Sequence, residues 1–384
     1  MQPLFWRTKS TDPRVIPTAG VAVTDAAHDT RKPNMPLTPA RSTRSRIDFV
    51  SDLSPEEVAS IVADPGVEVL QTSEPVENST WDLLNSELFL ARPDIELRVY
   101  GFYNAECDLS FVQRLANVRR FAADCLMAAS GIEHLASLAR LETLSIGIFN
   151  LSSFDFLAEI PADSLHSLSL GATESKRPRL GHLRRFTNLR TLSIEGPRKE
   201  IEVMATLPLL EDLTLRSIGS VGLAFLQNLR NLWSLDIKLG GTRDLSGLAD
   251  MEQIKYLELW QIKGLENIEV ISTMVGLQFL FLEALRNVTR LPDLSRLTHL
   301  RRIMLRTMKG LTDVSALASA PALSEFLLSG GESLDPEDLA PLFQVPSLRS
   351  ASAYFANSKK DRAFKETAAE RHVEEFRHSR FQFS

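Results

Sequence analysis

The chain has 384 residues, 44% of them hydrophobic, and a formal net charge of −6. It is long enough for one large solenoid or two ordinary domains, and apolar enough to bury a sizeable core. The acidic balance argues against general binding to a nucleic-acid phosphate backbone, which needs a basic face.

Residues 1–46 hold six prolines, many Ser and Thr, and eight Lys/Arg against three Asp, with no periodic pattern. Such a segment buries too little apolar surface to offset its ordering entropy, so disorder is predicted. An export leader or an over-extended start of the reading frame has the same composition. No apolar run approaches the roughly 18 residues of a membrane span. The opening MQPLFWRTKSTDPR lacks the apolar stretch of a secretory signal. These features predict a cytoplasmic protein with no membrane partner; specialised secretion as an effector is compatible with them.

Residues 47–90 carry ten Asp/Glu and no Lys/Arg. Ser54-Pro55-Glu56-Glu57 reads as a helix start, with Ser54 as N-cap, Pro55 at the first helical position and Glu57 closing a capping box. Gly66 ends that helix in this reading, and Val67–Leu70 forms a strand. A second helix is expected from Trp81 to Leu90, stopping before Pro93. The segment has the character of an acidic N-terminal cap.

From Ala91 to residue 356 one phrase recurs: apolar-x-x-apolar-x-x-apolar-x-apolar. It is clearest at Leu138/Leu141/Leu144/Ile146, Leu207/Leu210/Leu213/Leu215, Leu229/Leu232/Leu235/Ile237 and Leu297/Leu300/Ile303/Leu305. Looser copies start at Ala91, Leu115, Ala162, Phe186, Met251, Met274, Ala320 and Val345, so successive starts lie 21 to 25 residues apart. A period of this size means stacked supersecondary units. Each apolar-x-apolar pair has strand period: Leu213 and Leu215 point inward, Asp212, Thr214 and Arg216 outward. The rest of each unit returns as a short helix, 3₁₀ turn or extended piece; Leu248 and Leu317 are the inward residues of two such returns. About twelve strands at ~4.8 Å spacing predict a parallel sheet on the order of 55 Å long.

Phrases such as LPDLSRLTHLRRIMLRTMKGLTDVSAL (291–317) and LRRFTNLRTLSIEG (183–196) resemble leucine-rich repeats. The spacing is similar to the 22–23-residue class of bacterial internalin-like and phosphatase-regulatory-subunit-like proteins. The resemblance implies an α/β solenoid with a curved parallel sheet and an extended concave binding face. It departs at one position: where the family carries a buried Asn or Cys, this chain has Phe149, Thr173, Pro197, Ile218, Gly240, Ile262, Leu285, Met308 and Gly331. The turn is therefore expected to be sealed by packing.

Beyond Asn357 the chain is highly charged, with Phe364, Ala368, Val373 and Phe376 as one candidate apolar stripe. Residues 357–384 read as a C-terminal capping helix with a frayed tail. The two cysteines, Cys107 and Cys125, occupy different phases of adjacent repeats and read as two buried thiols in a reducing compartment.

Motifs of catalysis are missing. The seven histidines make no HExxH and no zinc-type pairing with cysteine, and there is no P-loop, no dinucleotide fingerprint and no GxSxG elbow. No metal or cofactor is predicted.

The outward strand positions change character along the chain. Early repeats give small residues, such as Thr143/Ser145/Gly147 and Ser167/Ser169/Gly171. Later ones give Tyr256/Glu258/Trp260, Phe279/Phe281/Glu283 and Arg302/Met304/Arg306. Tyr256, Trp260, Phe279, Phe281 and Met304 are predicted to form a continuous exposed patch. Arg216, Lys238, Arg302 and Arg306 flank it, with Asp236, Glu258 and Glu283 between. These residue types are enriched at interface centres, and an exposed patch of this kind implies a partner. The reading is a non-catalytic, monomeric scaffold that docks a protein on its concave face, in the manner of an immunity protein, effector or adaptor. The alternative is a glycan-binding or glycan-processing protein using Trp260, Tyr256 and the carboxylates Glu258 and Glu283. A self-associating module is a third reading.

Overall fold

The computed structural model describes residues 46–49, 51–102, 106–175, 178–196 and 199–384. The proposed disorder of 1–46 therefore lies outside the described residues, except at Arg46. Sixteen strands are described: β1 (Arg46–Asp48), β2 (Val69–Thr72), β3 (Glu96–Tyr100), β4 (Cys107–Asp108), β5 (Arg120–Leu126), β6 (Ala129–Ser130), β7 (Thr143–Ile148), β8 (Ser167–Leu170), β9 (Thr191–Glu195), β10 (Asp212–Arg216), β11 (Ser234–Lys238), β12 (Tyr256–Trp260), β13 (Phe279–Glu283), β14 (Arg302–Arg306), β15 (Glu325–Ser329) and β16 (Ser350–Tyr354). Fourteen make one sheet in chain order, and β4 and β6 form a small second pair. Every pairing is parallel, because each unit brings the chain back before the next strand begins. All twelve repeats supply a strand to this sheet. The two additional strands, β1 and β2, come from the segment ahead of them.

The inward residues form continuous rows. Leu213, Leu235, Leu257, Leu280, Ile303 and Phe326 stand opposite one another in register, and all are fully buried. Return segments close the core from the other side. They are mostly 3₁₀ turns, including Ser246–Leu248 and Ser315–Ser319, whose Leu248 and Leu317 are buried. The resulting apolar cluster runs without a break from Phe49 to Ala368.

At the family's Asn/Cys position, Ile218, Ile262, Leu285 and Met308 are buried, so packing does seal those turns, whereas Phe149 is exposed. Pro197 lies outside the described residues. Just after the strand, the chain repeatedly takes the left-handed region: Ser217, Leu239, Gln261, Ala284 and Thr307 have φ of 55°, 54°, 50°, 53° and 51°.

The helix α1 (Pro55–Ala63) has the anticipated Ser54 capping box, but it stops at Asp64 rather than Gly66. The second helix starts earlier than anticipated: α2 (Asn78–Leu83) passes through a π turn (Leu84–Leu88) into the short α3 (Phe89–Ala91). Trp81 stacks on Phe111 of the first repeat at 4.2 Å and meets Phe49 edge-on at 6.1 Å. These aromatics cover the end of the leucine core. At the other end α4 (Ser358–Glu370), capped by Asn357, buries Phe364 and Ala368. Of the two cysteines, Cys107 is buried, but Cys125 is exposed, because it occupies a left-handed turn at the end of β5 (φ 54°) rather than an inward strand position.

Candidate functional site

The side of the sheet opposite the leucine core is its outer face. Registers between β10 and β16 align the outward residues in three rows. The leading row contains Asp212, Ser234, Tyr256, Phe279, Arg302 and Glu325. The central row contains Thr214, Asp236, Glu258, Phe281, Met304 and Leu327. The trailing row contains Arg216, Lys238, Trp260, Glu283, Arg306 and Ser329. The predicted strand phase therefore brings all twelve candidate residues onto one face.

Their exposure departs from the prediction. Tyr256, Phe279 and Phe281 are 1%, 2% and 1% exposed; Met304, Arg302, Asp236 and Glu258 are also buried. Of the twelve candidates, only the five in the trailing row stay half-exposed: Arg216, Lys238, Trp260, Glu283 and Arg306. The cover comes from the chain itself. After α4, Glu374 bridges in parallel to Ser350 on β16, and its carbonyl accepts the Ala351 N–H at 2.8 Å. The chain then turns over the outer face and crosses the strands. Tyr256, Phe279, Phe281, Met304 and Leu327 form a second apolar cluster with Phe376 and Phe381, joined by Trp233 and Phe383. The frayed tail is thus replaced by an ordered strap, and Phe376 leaves the stripe of α4 to join this cluster. The sequence carried one signal for it: the extended-chain spacing of Phe381 and Phe383 within a charged segment.

The contacts are specific. Phe381 packs against Phe279, with ring centroids 5.3 Å apart; Phe383 lies 5.2 Å from Trp233 and 6.2 Å from Tyr256. Arg302 sits amid three rings, its guanidinium 5.4, 5.3 and 5.1 Å from the centroids of Phe279, Phe376 and Phe381. It donates to the Ser379 carbonyl at 3.0 Å and to Glu325 at 2.5 Å, so its charge is paired despite burial. Arg301 donates to the Gln382 carbonyl at 2.7 Å. Lys255 and the Gln278 amide donate to the Ser384 carbonyl at 2.6 and 3.0 Å. Arg301, Lys255 and Gln278 border the candidate set without belonging to it. They lie just before the strands, outside the alternation from which outward positions were read.

Beside the strap is a polar network. Glu258 Oε2 accepts from the Tyr256 hydroxyl and from Lys238 Nζ, both at 2.9 Å. Lys238 also lies 3.7 Å from Asp236, which accepts from the Thr214 hydroxyl at 3.1 Å. Burial, helped by the Asp236 charge and opposed by Lys238, pushes the Glu258 carboxyl up to about 7. Burial also raises Glu283, against the pull of Arg306 and Lys238. Register places Glu258 opposite Phe281 and Glu283 opposite Trp260, so the two carboxylates do not face each other across the strands.

Among the described residues no cluster of three or more His, Cys, Asp or Glu has the geometry to hold a metal ion. No helix among them is long and apolar enough to cross a membrane.

No protein-family model and no curated protein sequence matches the chain. Solved structures do. An internalin (inlF) from Listeria monocytogenes aligns over 79% of this chain and 89% of its own, at 20% identity and a TM-score of 0.53. The chain has the leucine-rich-repeat fold. Two other repeat structures align less well. Internalin C2 of the same organism covers 59% of this chain and 85% of its own, at 21% identity and a TM-score of 0.37. TLR13, in its complex with ssRNA13, covers 75% of this chain and 46% of its own, at 17% identity and a TM-score of 0.48. This leucine-rich-repeat solenoid therefore shares its architecture with the internalin at only 20% sequence identity.

Proposed function

We propose that this protein is a non-catalytic scaffold whose outer sheet face binds a partner protein. One observation carries the reading: the face already holds an extended polypeptide, residues 375–384, through aromatic contacts and side-chain hydrogen bonds to its carbonyls. A surface that accommodates one extended segment so specifically has the chemistry to recognise another. The trailing row adds half-exposed Trp260, with the Arg216 guanidinium 5.9 Å from its ring centroid. A hot-spot aromatic among charged neighbours is what a protein interface centre requires. Of the two carboxylates of the glycan reading, Glu258 is engaged internally by Lys238 and Tyr256, and Glu283 lies 3.7 Å from Arg306.

The monomeric state is part of the proposal, because β16 is covered at its edge by Glu374 and α4 rather than left open for pairing. The free thiols Cys107 and Cys125 suit a reducing compartment.

Affinity capture with the full chain tests the reading. Trp260→Ala combined with Arg306→Ala should lose one specific protein that wild type recovers, with both chains equally folded. Identical recoveries would remove the trailing row from the interface.

A further inference from the structure

We propose that residues 375–384 are a built-in ligand occupying a peptide-receptor groove on the outer face. The partner segment that replaces them is an extended polypeptide with aromatic side chains at alternating positions. This rests on the scaffold reading above and names the chemistry of its partner.

The last five residues of the strap alternate as an extended chain should. Phe381 is buried and Phe383 half-buried, while Arg380, Gln382 and Ser384 are exposed. The two aromatic sites are distinct: Phe279 with Arg301 and Arg302 for the first, Trp233 with Tyr256 for the second. Between and beyond them the groove addresses main-chain atoms. Arg302, Arg301 and Lys255 reach the carbonyls of Ser379, Gln382 and Ser384, and Gln278 both donates to Ser384 and accepts its N–H at 3.0 Å. Bonds to main-chain atoms suit any extended polypeptide, whereas the aromatic sites select among sequences. The recognition is thus independent of the strap's covalent connection to α4.

The strap is also attached so that it can leave. Among the described residues, no hydrogen bond between main-chain groups involves residues 375–384; the last ones are those of Glu374. The fourteen-stranded sheet loses no ladder bond when the strap departs.

Its fit is incomplete as well. A pocket of about 80 Å3, partly open to solvent, remains beside His378, lined by Phe281, Met304, Arg306, Leu327, Ser329 and Tyr354. A partner with a larger apolar side chain at the position of His378 fills it and gains contact area over the resident strap.

The test uses a fluorescein-labelled peptide with the sequence of residues 374–384, titrated by anisotropy into two full-length chains. In the Phe381→Ser/Phe383→Ser chain the groove is vacated, and the peptide should bind. Wild type should bind it at least about tenfold more weakly, because the tethered strap competes at high effective concentration. A peptide with Phe381 and Phe383 replaced by serine should bind neither. Circular dichroism establishes that the double variant is folded; if it is not, Phe383→Ala alone takes its place. A folded, vacated chain that ignores the peptide overturns the inference, as does equal binding by both chains or by the serine peptide. A concentration-dependent wild-type dimer that the double substitution abolishes would put the strap on a second copy and overturn occupancy in cis. None of these results touches the Trp260/Arg306 capture experiment, so the broader scaffold reading stands or falls separately.

Discussion

Phe383 packs against Trp233, ring centroids 5.2 Å apart and planes tilted by 56°. The contact joins the last residues of the chain to the loop before β11. It explains why residues with the alternation of exposed interface aromatics are instead covered.

Phe281 and Trp260 were both expected to face solvent, and the structure separates them. Phe281 is 1% exposed, inside the cluster beneath the strap, while Trp260 is half-exposed in the trailing row. Phe281→Ala should lower stability by about 3 kcal/mol, as for truncation of a buried aromatic. Trp260→Ala should cost less than about 1 kcal/mol. Urea unfolding of the two single variants measures this; equal shifts in midpoint would contradict the packing of Phe281 under the strap.

That separation marks how far the sequence carries. The strand phase was legible because Leu213/Leu215, Leu235/Ile237 and their counterparts repeat at a strand period that only one burial pattern satisfies. It placed all twelve candidates correctly on the outer face. The cover over Tyr256, Phe279 and Phe281 was not legible, because residues 375–384 follow no repeat. Their three phenylalanines are diluted by Arg377, His378 and Arg380, and what they touch is set by where the chain leaves β16 after Glu374. Exposure in a solenoid depends on long-range docking as well as on local alternation, and Phe-x-Phe in a charged tail is too short a pattern to predict it.

Arg302 is the strap's central anchor, with its side chain 5% exposed. Arg302→Ala removes the bond to the Ser379 carbonyl and the three ring contacts, and strands Glu325. The expected cost is about 2 kcal/mol, below the roughly 3–5 kcal/mol of a fully buried pair, because Glu325 keeps partial access to water. The strap should then open more often, so trypsin should cut after Arg377 and Arg380 several times faster than in wild type, with the repeats themselves still resistant. A mass-spectrometric time course with unchanged cleavage at these two sites would remove Arg302 from that role.

Glu258 gives the fold a pH dependence of definite sign. Its folded carboxyl is pushed up to about 7 from an ordinary value of 4.5, first by burial and then by Asp236. Between these values the folded state binds more protons than the unfolded one, so this group's contribution to stability falls as pH rises through the window. Glu96, pushed up to about 7 chiefly by burial, acts in the same direction. Glu258→Gln keeps the acceptor oxygen for Tyr256 while removing the titration. Denaturant unfolding at a series of pH values from about 4.5 to 7 should therefore show a shallower loss of stability in the variant, and shallower still with Glu96→Gln added. A slope equal to wild type in both variants would show that neither carboxyl titrates above its ordinary range.

The left-handed residue that follows strands β10 to β14 offers a gain of stability. Ala284 has φ 53° and follows β13 in a turn where its side chain is only half-buried. An L-residue in this region costs about 1–2 kcal/mol, a cost glycine avoids, while a methyl group lost from a half-exposed position costs little. Glycine also enlarges the freedom of the unfolded chain, which offsets part of the gain. Ala284→Gly should therefore stabilise the protein by about 0.5–1 kcal/mol. Thermal unfolding would register it as a higher midpoint, and a lower midpoint would mean that the turn is not held in the left-handed region in solution. The same substitution at Leu239 should gain less, because its larger side chain gives up more contact area when removed.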